Sequence, residues 1–209
     1  ETMETLDYIV QKFNLDLSRP SPIEILNINR IIMAQTLNEL GFKLGVEIGV
    51  AKGDHAELLC QNISGLELFG VDPWKRSSGY VEFDNSTLAS FHEQAIQKLA
   101  PYNCELLQKF SMEAVTDFRD RTLDFVYIDG AHDFKNVTND ICEWTRKIRP
   151  GGIIFGHDYR RDKNQKIRHH VVDVVNGYTY AYRIKPWFLL GEQGKADGLY
   201  KEGTRSWMW

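Results

Sequence analysis

Two short segments concentrate the side chains able to bind a cation or move a proton: Asp129-Gly130-Ala131-His132 and His157-Asp158. Each follows an apolar run, residues 123–128 and 153–156, that has the length and composition of a buried strand. In a parallel sheet both strand ends open on one crevice. Asp129, His157 and Asp158 can therefore converge there, with His132 beside them. Two carboxylates and an imidazole suit a hard divalent cation whose shell is completed by water or substrate oxygens. The nitrogen donor also admits manganese or iron. A cation so placed would lower the pKa of a substrate hydroxyl. His132, whose ordinary pKa lies near neutrality, could take the proton. The expected catalytic group is thus His132, Asp129 and Asp158. A plainer alternative makes Asp158 a capping or salt-bridging residue and His132 a surface histidine.

A second constellation lies upstream, in VEIGVAKGDHAELL. An apolar run ends at Glu47-Ile48-Gly49, a loop of small residues (Ala51 among them) follows, and a helical pattern begins after Gly53. Glycines let the backbone turn sharply and approach a ligand, and a helix N-terminus offers free N–H groups. The loop is neither the GxGxxG dinucleotide fingerprint nor a P-loop with its lysine-serine pair. The acidic Glu47 would repel a phosphate but suits a cation. S-adenosylmethionine (SAM) carries a sulfonium, an ammonium and a carboxylate, and no phosphate. Asp72, at the end of the next apolar run about 25 residues after Glu47, falls where an acidic residue meets a ribose in Rossmann-type sites. The plain alternatives are a tight turn at Gly49 and Gly53, and a turn or capping aspartate before Pro73.

The elements that must hold these residues alternate. Strands are expected over residues 44–50, 66–71, 104–110, 123–128 and 153–156, with helices over 54–61, 87–99, 112–118 and 137–148. This alternation implies parallel pairing through right-handed crossovers. Two helical patterns come first, over residues 2–13 and 23–40, the second stopped by Gly41. After a helix over 167–175, residues 178–190 and 199–209 read as two strands without an intervening helix, hence an antiparallel hairpin at one sheet edge. The predicted fold is a Rossmann-like α/β sheet of seven strands, mostly parallel, with helices on both faces, a C-terminal antiparallel hairpin and an N-terminal helical extension. The division is a helical cap over 1–41 and one structural unit over 42–209.

Composition narrows the function classes. With 209 residues, 43% hydrophobic and 26% charged, the chain is of ordinary globular make-up and needs no disulfides or structural metal to hold a core. A net charge of −4 makes nucleic acid an unexpected partner, and the basic run Arg160, Arg161, Lys163, Lys166, Arg168 reads as a solvated loop. Cys60, Cys104 and Cys142 form no metal pattern and point to a reducing cytoplasm. No apolar run has membrane-spanning length. The chain opens on Glu1 rather than Met, which leaves a longer parent protein open. Adjacent His169 and His170 are assigned surface or capping roles. The segment from Trp74 through Lys75 and Arg76 to Gly79 reads as a lid over bound cofactor. Trp187, Phe188, Trp207 and Trp209 read as strand core, with a homo-oligomer edge as a further expectation.

The run DFVYIDGAHDFKNVTNDICEWTRKIRPGGIIFGHDY, together with VEIGVAKGDH and FGVDPW, resembles a class I methyltransferase family that includes metal-dependent sugar and antibiotic-tailoring O-methyltransferases. The similarity spans residues 42–159, with a looser match through the final strands. It implies that Glu47, Gly49, Ala51 and Gly53 line the cofactor loop, that Asp72 binds ribose, that Ser111 and Met112 border the adenine, and that Asp129 belongs to both cofactor and metal sites. In metal-dependent members an aspartate at the place of Asp129 and an acidic pair at the places of His157 and Asp158 hold magnesium, and a histidine at the place of His132 is the base. This chain departs from that pattern at His157. The expected activity is SAM-dependent O-methylation of a small, sugar-like hydroxyl compound, with Mg2+ or another divalent metal. The rivals are a metal-independent O- or N-methyltransferase, a silent cofactor-binding module, and a nicotinamide oxidoreductase, which the missing GxGxxG disfavours.

Overall fold

A computed structural model describes residues 4–76, 83–161, 169–192 and 204–209. Its centre is the strand β5 (Leu123–Ile128), whose side chains divide between the two faces of the sheet. Phe125 and Tyr127 enter one core cluster, Val126 and Ile128 the other, as a two-residue period requires. On its flanks lie β2 (Leu44–Ile48) and β6 (Ile148–Tyr159), both parallel to it. Gly45 of β2 is glycine because a Cβ there would lie 2.1 Å from the Phe125 ring.

Beyond β2 come β3 (Glu67–Val71) and β4 (Cys104–Leu107), again parallel. Beyond β6 come β8 (Arg205–Met208), antiparallel, then β7 (Phe188–Leu190) and β1 (Ile23–Ile25). The order is β1-β7-β8-β6-β5-β2-β3-β4. From β2 the chain runs outward to β4, then returns to β5 on the other side of β2. The carboxyl ends of β2 and β5 are therefore the topological switch point, where open α/β sheets bind ligands.

One face is covered by α2 (Arg30–Glu39), α3 (Asp54–Asn62) and α4 (Asn85–Leu99), which bury Leu37, Leu59 and Leu99. The other is covered by α5 (Ser111–Ala114), α6 (Phe134–Thr145) and α7 (Val171–Ala181). Helix α1 (Thr5–Phe13) is tied to the start of β6, where Thr5 Oγ1 donates to the Gly151 carbonyl at 2.6 Å.

The mostly parallel sheet, the two helical layers and the antiparallel hairpin β7–β8 match the sequence reading, with eight strands instead of seven. The extra strand comes from residues 23–40, expected as one helix. Ile23 and Ile25 instead alternate inward as β1 beside Phe188 and Leu190. The helix starts only where the Asn29 side chain accepts from the Ile32 amide at 2.8 Å. The strand expected over 178–190 is α7 for its first turn, and only Phe188–Leu190 is extended. Val171, Val172, Val174 and Val175 bury along α7, so packing overrides their preference for strands. Trp187, Phe188 and Trp207 are core residues as expected. The three cysteines are free. Among the described residues no helix is long and apolar enough to cross a membrane.

Candidate functional site

At the switch point β2 passes into a loop built on three left-handed residues: Gly49 (φ 89°), Ala51 (φ 49°) and Gly53 (φ 82°). Gly49 admits no side chain, since a Cβ would lie 2.1 Å from the Asp129 carbonyl oxygen. The loop is pinned from β3. Asp72 Oδ2 accepts from the Ala51 amide at 3.0 Å and Oδ1 from the Trp74 amide at 2.7 Å. The Trp74 indole donates to the Ala51 carbonyl at 2.8 Å. Asp72 is thus the turn residue of the plain reading and a cleft residue too. Burial pushes its pKa up against the lowering effect of the backbone amides of Ala51, Trp74 and Val50.

The cleft above this loop is lined by Gly49, Ala51 and Asp72, by Ser111 and Met112, and by Asp129. Six of the eight residues expected at the cofactor therefore meet in one cavity. The other two lie behind it. Gly53 is the N-cap of α3 and faces Leu99 of α4. Glu47 is 1% exposed, with His55 Nδ1 at 3.3 Å from its Oε1 and the His55 ring against Tyr127. Burial, then the charge of Asp129, raises the Glu47 pKa. Glu47 Oε2 has no hydrogen-bond partner among the described residues. Lys75 of the expected lid lines the cleft, and so do Phe110, Asn136 and Asp140, which sequence reasoning missed. Trp74 is buried against the His92 ring at 4.1 Å, and the rest of the expected lid, residues 77–79, lies outside the described residues. The same holds for Lys163, Lys166 and Arg168 of the basic run.

Asp129 joins this cleft to the second constellation. One ligand atom each from Asp129, His157 and Asp158 lies within 4.8 Å of the others, so the predicted donor set converges. His157 Nδ1 is 3.5 Å from Asp158 Oδ1 and 4.0 Å from Asp129 Oδ1, while its Nε2 meets Thr204 Oγ1 at 3.0 Å. That arrangement orients the ring and leaves Nδ1 toward the carboxylates. Asp158 is left-handed (φ 56°) where the β6–β8 register shifts, a strain of the kind that re-aims a side chain at a site.

His132 stands within this cluster, its side chain largely withdrawn from solvent. Its Nε2 lies 2.9 Å from Asp158 Oδ2 and 3.7 Å from Asp129 Oδ1. Burial works to lower its pKa, but the bonds to Asp129 and Asp158 prevail and lift it to about 10. The same contacts hold Asp129 and Asp158 below the usual carboxylate range against the upward push of burial.

Two further residues enter unannounced. His169, expected at the surface, precedes α7 and has a side chain 2% exposed. It lies 4.0 Å from Asp158 and 4.9 Å between ring centres from His132. With His132 and Asp158 it forms a second set of potential ligands. Its neighbour His170 keeps a capping role, accepting from the Phe134 amide at 3.1 Å. Arg30, the first residue of α2, brings a guanidinium to 3.6 Å from Asp129 Oδ2.

The chain belongs to a family of methyltransferase domains, whose model matches residues 46–159. It is 25% identical over 147 residues to an uncharacterized protein of Sinorhizobium fredii, covering 68% of this chain and 15% of that one. It is 26% identical over 116 residues to an uncharacterized protein of Acanthamoeba polyphaga mimivirus, covering 55% of this chain and 51% of that one. The chain thus spans about half, or much less, of the length of these relatives. Among solved structures, an O-methyltransferase from Bacillus cereus in complex with SAH superimposes with a TM-score of 0.61 at 16% identity, over 98% of this chain and 89% of that one. The O-methyltransferase TomG from Streptomyces achromogenes, involved in tomaymycin synthesis and in complex with SAM, gives 0.60 at 15%, over 100% and 90%. An rRNA methylase from Streptococcus thermophilus gives 0.58 at 12%, over 88% and 96%. These likenesses establish the fold.

Proposed function

We propose that the chain binds SAM in the cleft at the ends of β2, β3 and β4 and methylates a hydroxyl of a small, sugar-like substrate beside β5 and β6. The observation that carries this reading is Asp129, which lines the cleft at the switch point and belongs to the cluster with His132, His157 and Asp158. A methyl donor and a hydroxyl prepared for attack must meet at such a junction.

The residues suit both absent groups. For SAM, the glycine loop and the acceptor Asp72 form a cleft wall suited to a ribose, with the buried Glu47 behind the loop. SAM, when bound, supplies a methyl group on a sulfonium. For a divalent cation, Asp129, His157 and Asp158 would be the holders. Such a cation supplies positive charge that eases proton loss from a substrate hydroxyl. Because His157 offers nitrogen where the resembling family offers an acid, manganese or iron suits the set better than magnesium. The chain's own part is to orient and to move one proton. Asp72 fixes the loop, and Thr204 orients His157. His132 Nε2 would be the proton acceptor, and a cation held by Asp129 and Asp158 would weaken the pairing that lifts its pKa.

The test is calorimetric titration with S-adenosylhomocysteine (SAH) in EDTA, magnesium and manganese, followed by transfer of labelled methyl from SAM to a panel of sugars and phenols. Micromolar binding and manganese-dependent transfer to a hydroxyl are expected. Transfer that survives EDTA would favour a metal-independent enzyme. Tight binding without transfer to any acceptor would leave a silent cofactor-binding module.

A further inference from the structure

Asp140 is the buried acid that neither constellation uses. It sits on the inner face of α6 between Val137, Ile141 and Trp144, is 4% exposed, and still lines the cleft. Its surroundings fix one oxygen. The Trp144 indole can only donate, and it gives its hydrogen to Ser111 Oγ at 2.7 Å. The Ser111 hydroxyl then donates to Asp140 Oδ1 at 2.5 Å. The other oxygen has no such partner among the described residues. It lies under Gly130, where an added Cβ would stand 3.9 Å away, and Gly130 is itself a wall of the cleft. Burial pushes the Asp140 pKa up to about 7, the mark of a polar group short of compensation.

The sheet order says what meets this acceptor. β5, β2, β3 and β4 are neighbours, so Asp129, the glycine loop, Asp72 and Ser111 stand in a row across three strand spacings, roughly 14 Å. On the reading given above, Asp129 marks the end where methyl donor and hydroxyl meet, and Asp72 the ribose. The base then falls at the end of β4, between Ser111 and α6. Of the nucleobases, adenine presents an exocyclic amine and no exocyclic carbonyl.

We infer that Asp140 is the residue that selects adenine, its Oδ2 accepting a hydrogen bond from the exocyclic amine of the cofactor while Trp144 and Ser111 hold Oδ1. This deepens the cofactor reading and rests on it. The polar chain Trp144–Ser111–Asp140 then serves as a specificity device. A buried acceptor that loses its donor is left unsatisfied, which is how a site rejects an analogue that lacks one amine.

The experiment is a binding cycle with SAH and its 6-deamino analogue, in which purine replaces adenine, on the wild-type chain, Asp140→Ala and Asp140→Asn. The wild type should prefer SAH by about ten- to hundred-fold, the worth of a hydrogen bond to a charged group. Asp140→Ala should bind both compounds equally, and the analogue no more weakly than the wild type does. Asp140→Asn, which retains a carbonyl acceptor, should recover most of the preference. If Asp140→Ala fails to unfold cooperatively, Asp140→Leu, closer in volume, takes its place. An unchanged preference in the Ala or Leu variant would overturn the assignment. A wild type that binds neither compound would instead bring down the cofactor reading and this inference with it.

Discussion

His132 is held by Asp158 and Asp129, which lift its pKa to about 10. Its role as proton acceptor depends on something else claiming those carboxylates. His132→Ala should therefore lower turnover by roughly 10²- to 10⁴-fold, the usual worth of a general base. SAH affinity should stay within about twofold, since His132 does not line the cofactor cleft. Full activity in the variant would remove His132 from the chemistry. Asp140 carries a prediction about stability. Its carboxyl titrates at 3.8 in an ordinary setting and at about 7 here, so between these values the native state keeps a proton that the unfolded chain has released. That contribution is fully present below pH 3.8 and is lost as the pH rises through about 7, a fall on the order of 4 kcal/mol at most. Urea unfolding between pH 4 and 8 should show the wild type losing stability relative to Asp140→Asn. Parallel curves would mean that the carboxyl ionises normally.

At the scale of elements, the turn after β2 depends on what lies across from each glycine. Gly49 and Gly53 are both left-handed, a conformation that costs other residues roughly 1–2 kcal/mol. They differ in what a methyl would meet: the Asp129 backbone at 2.1 Å for Gly49, the movable end of Leu99 at 3.1 Å for Gly53. Gly49→Ala should thus destabilise well beyond that cost and weaken SAH binding, whereas Gly53→Ala should cost about the strain alone and bind normally. Urea midpoints and calorimetry on the pair test this, and equal losses would contradict it. The same contrast explains what was legible in the sequence. β3 and β5 end in apolar runs, residues 68–71 and 125–128, and the acids that follow, Asp72 and Asp129, declare themselves because polarity begins there abruptly. Asp140 was legible in principle: it interrupts the apolar stripe Val137, Ile141, Trp144 of α6, where a charge has no structural reason to be. β1 was not, because Ile23 and Ile25 continue the spacing of the helix that follows Asn29. His169 was not either, because only the fold of a distant segment brings it to Asp158.

At the scale of the whole molecule, the site is assembled from more than the matched stretch of residues 46–159. Arg30 arrives from before it, and His169 and Thr204 from after it. The N-terminal segment is held by the sheet itself: Ile23, Glu24 and Ile25 pair with Phe188, Leu189 and Leu190, and Arg205 of β8 reaches Glu24 at 2.7 Å. Removing residues 1–29 would strip the partner from β7, whose three residues are all apolar and buried, and leave an exposed hydrophobic edge. It would also leave Arg30 at a free terminus, without the Asn29 cap that starts α2. The shortened chain should associate in light scattering and unfold at lower urea than the full chain, with weaker SAH binding as the Arg30–Asp129 contact loosens. If it stays monomeric with an unchanged midpoint, the segment is a detachable cap over the cleft. If only SAH binding falls, Arg30 acts on the site without β1 being needed for the fold.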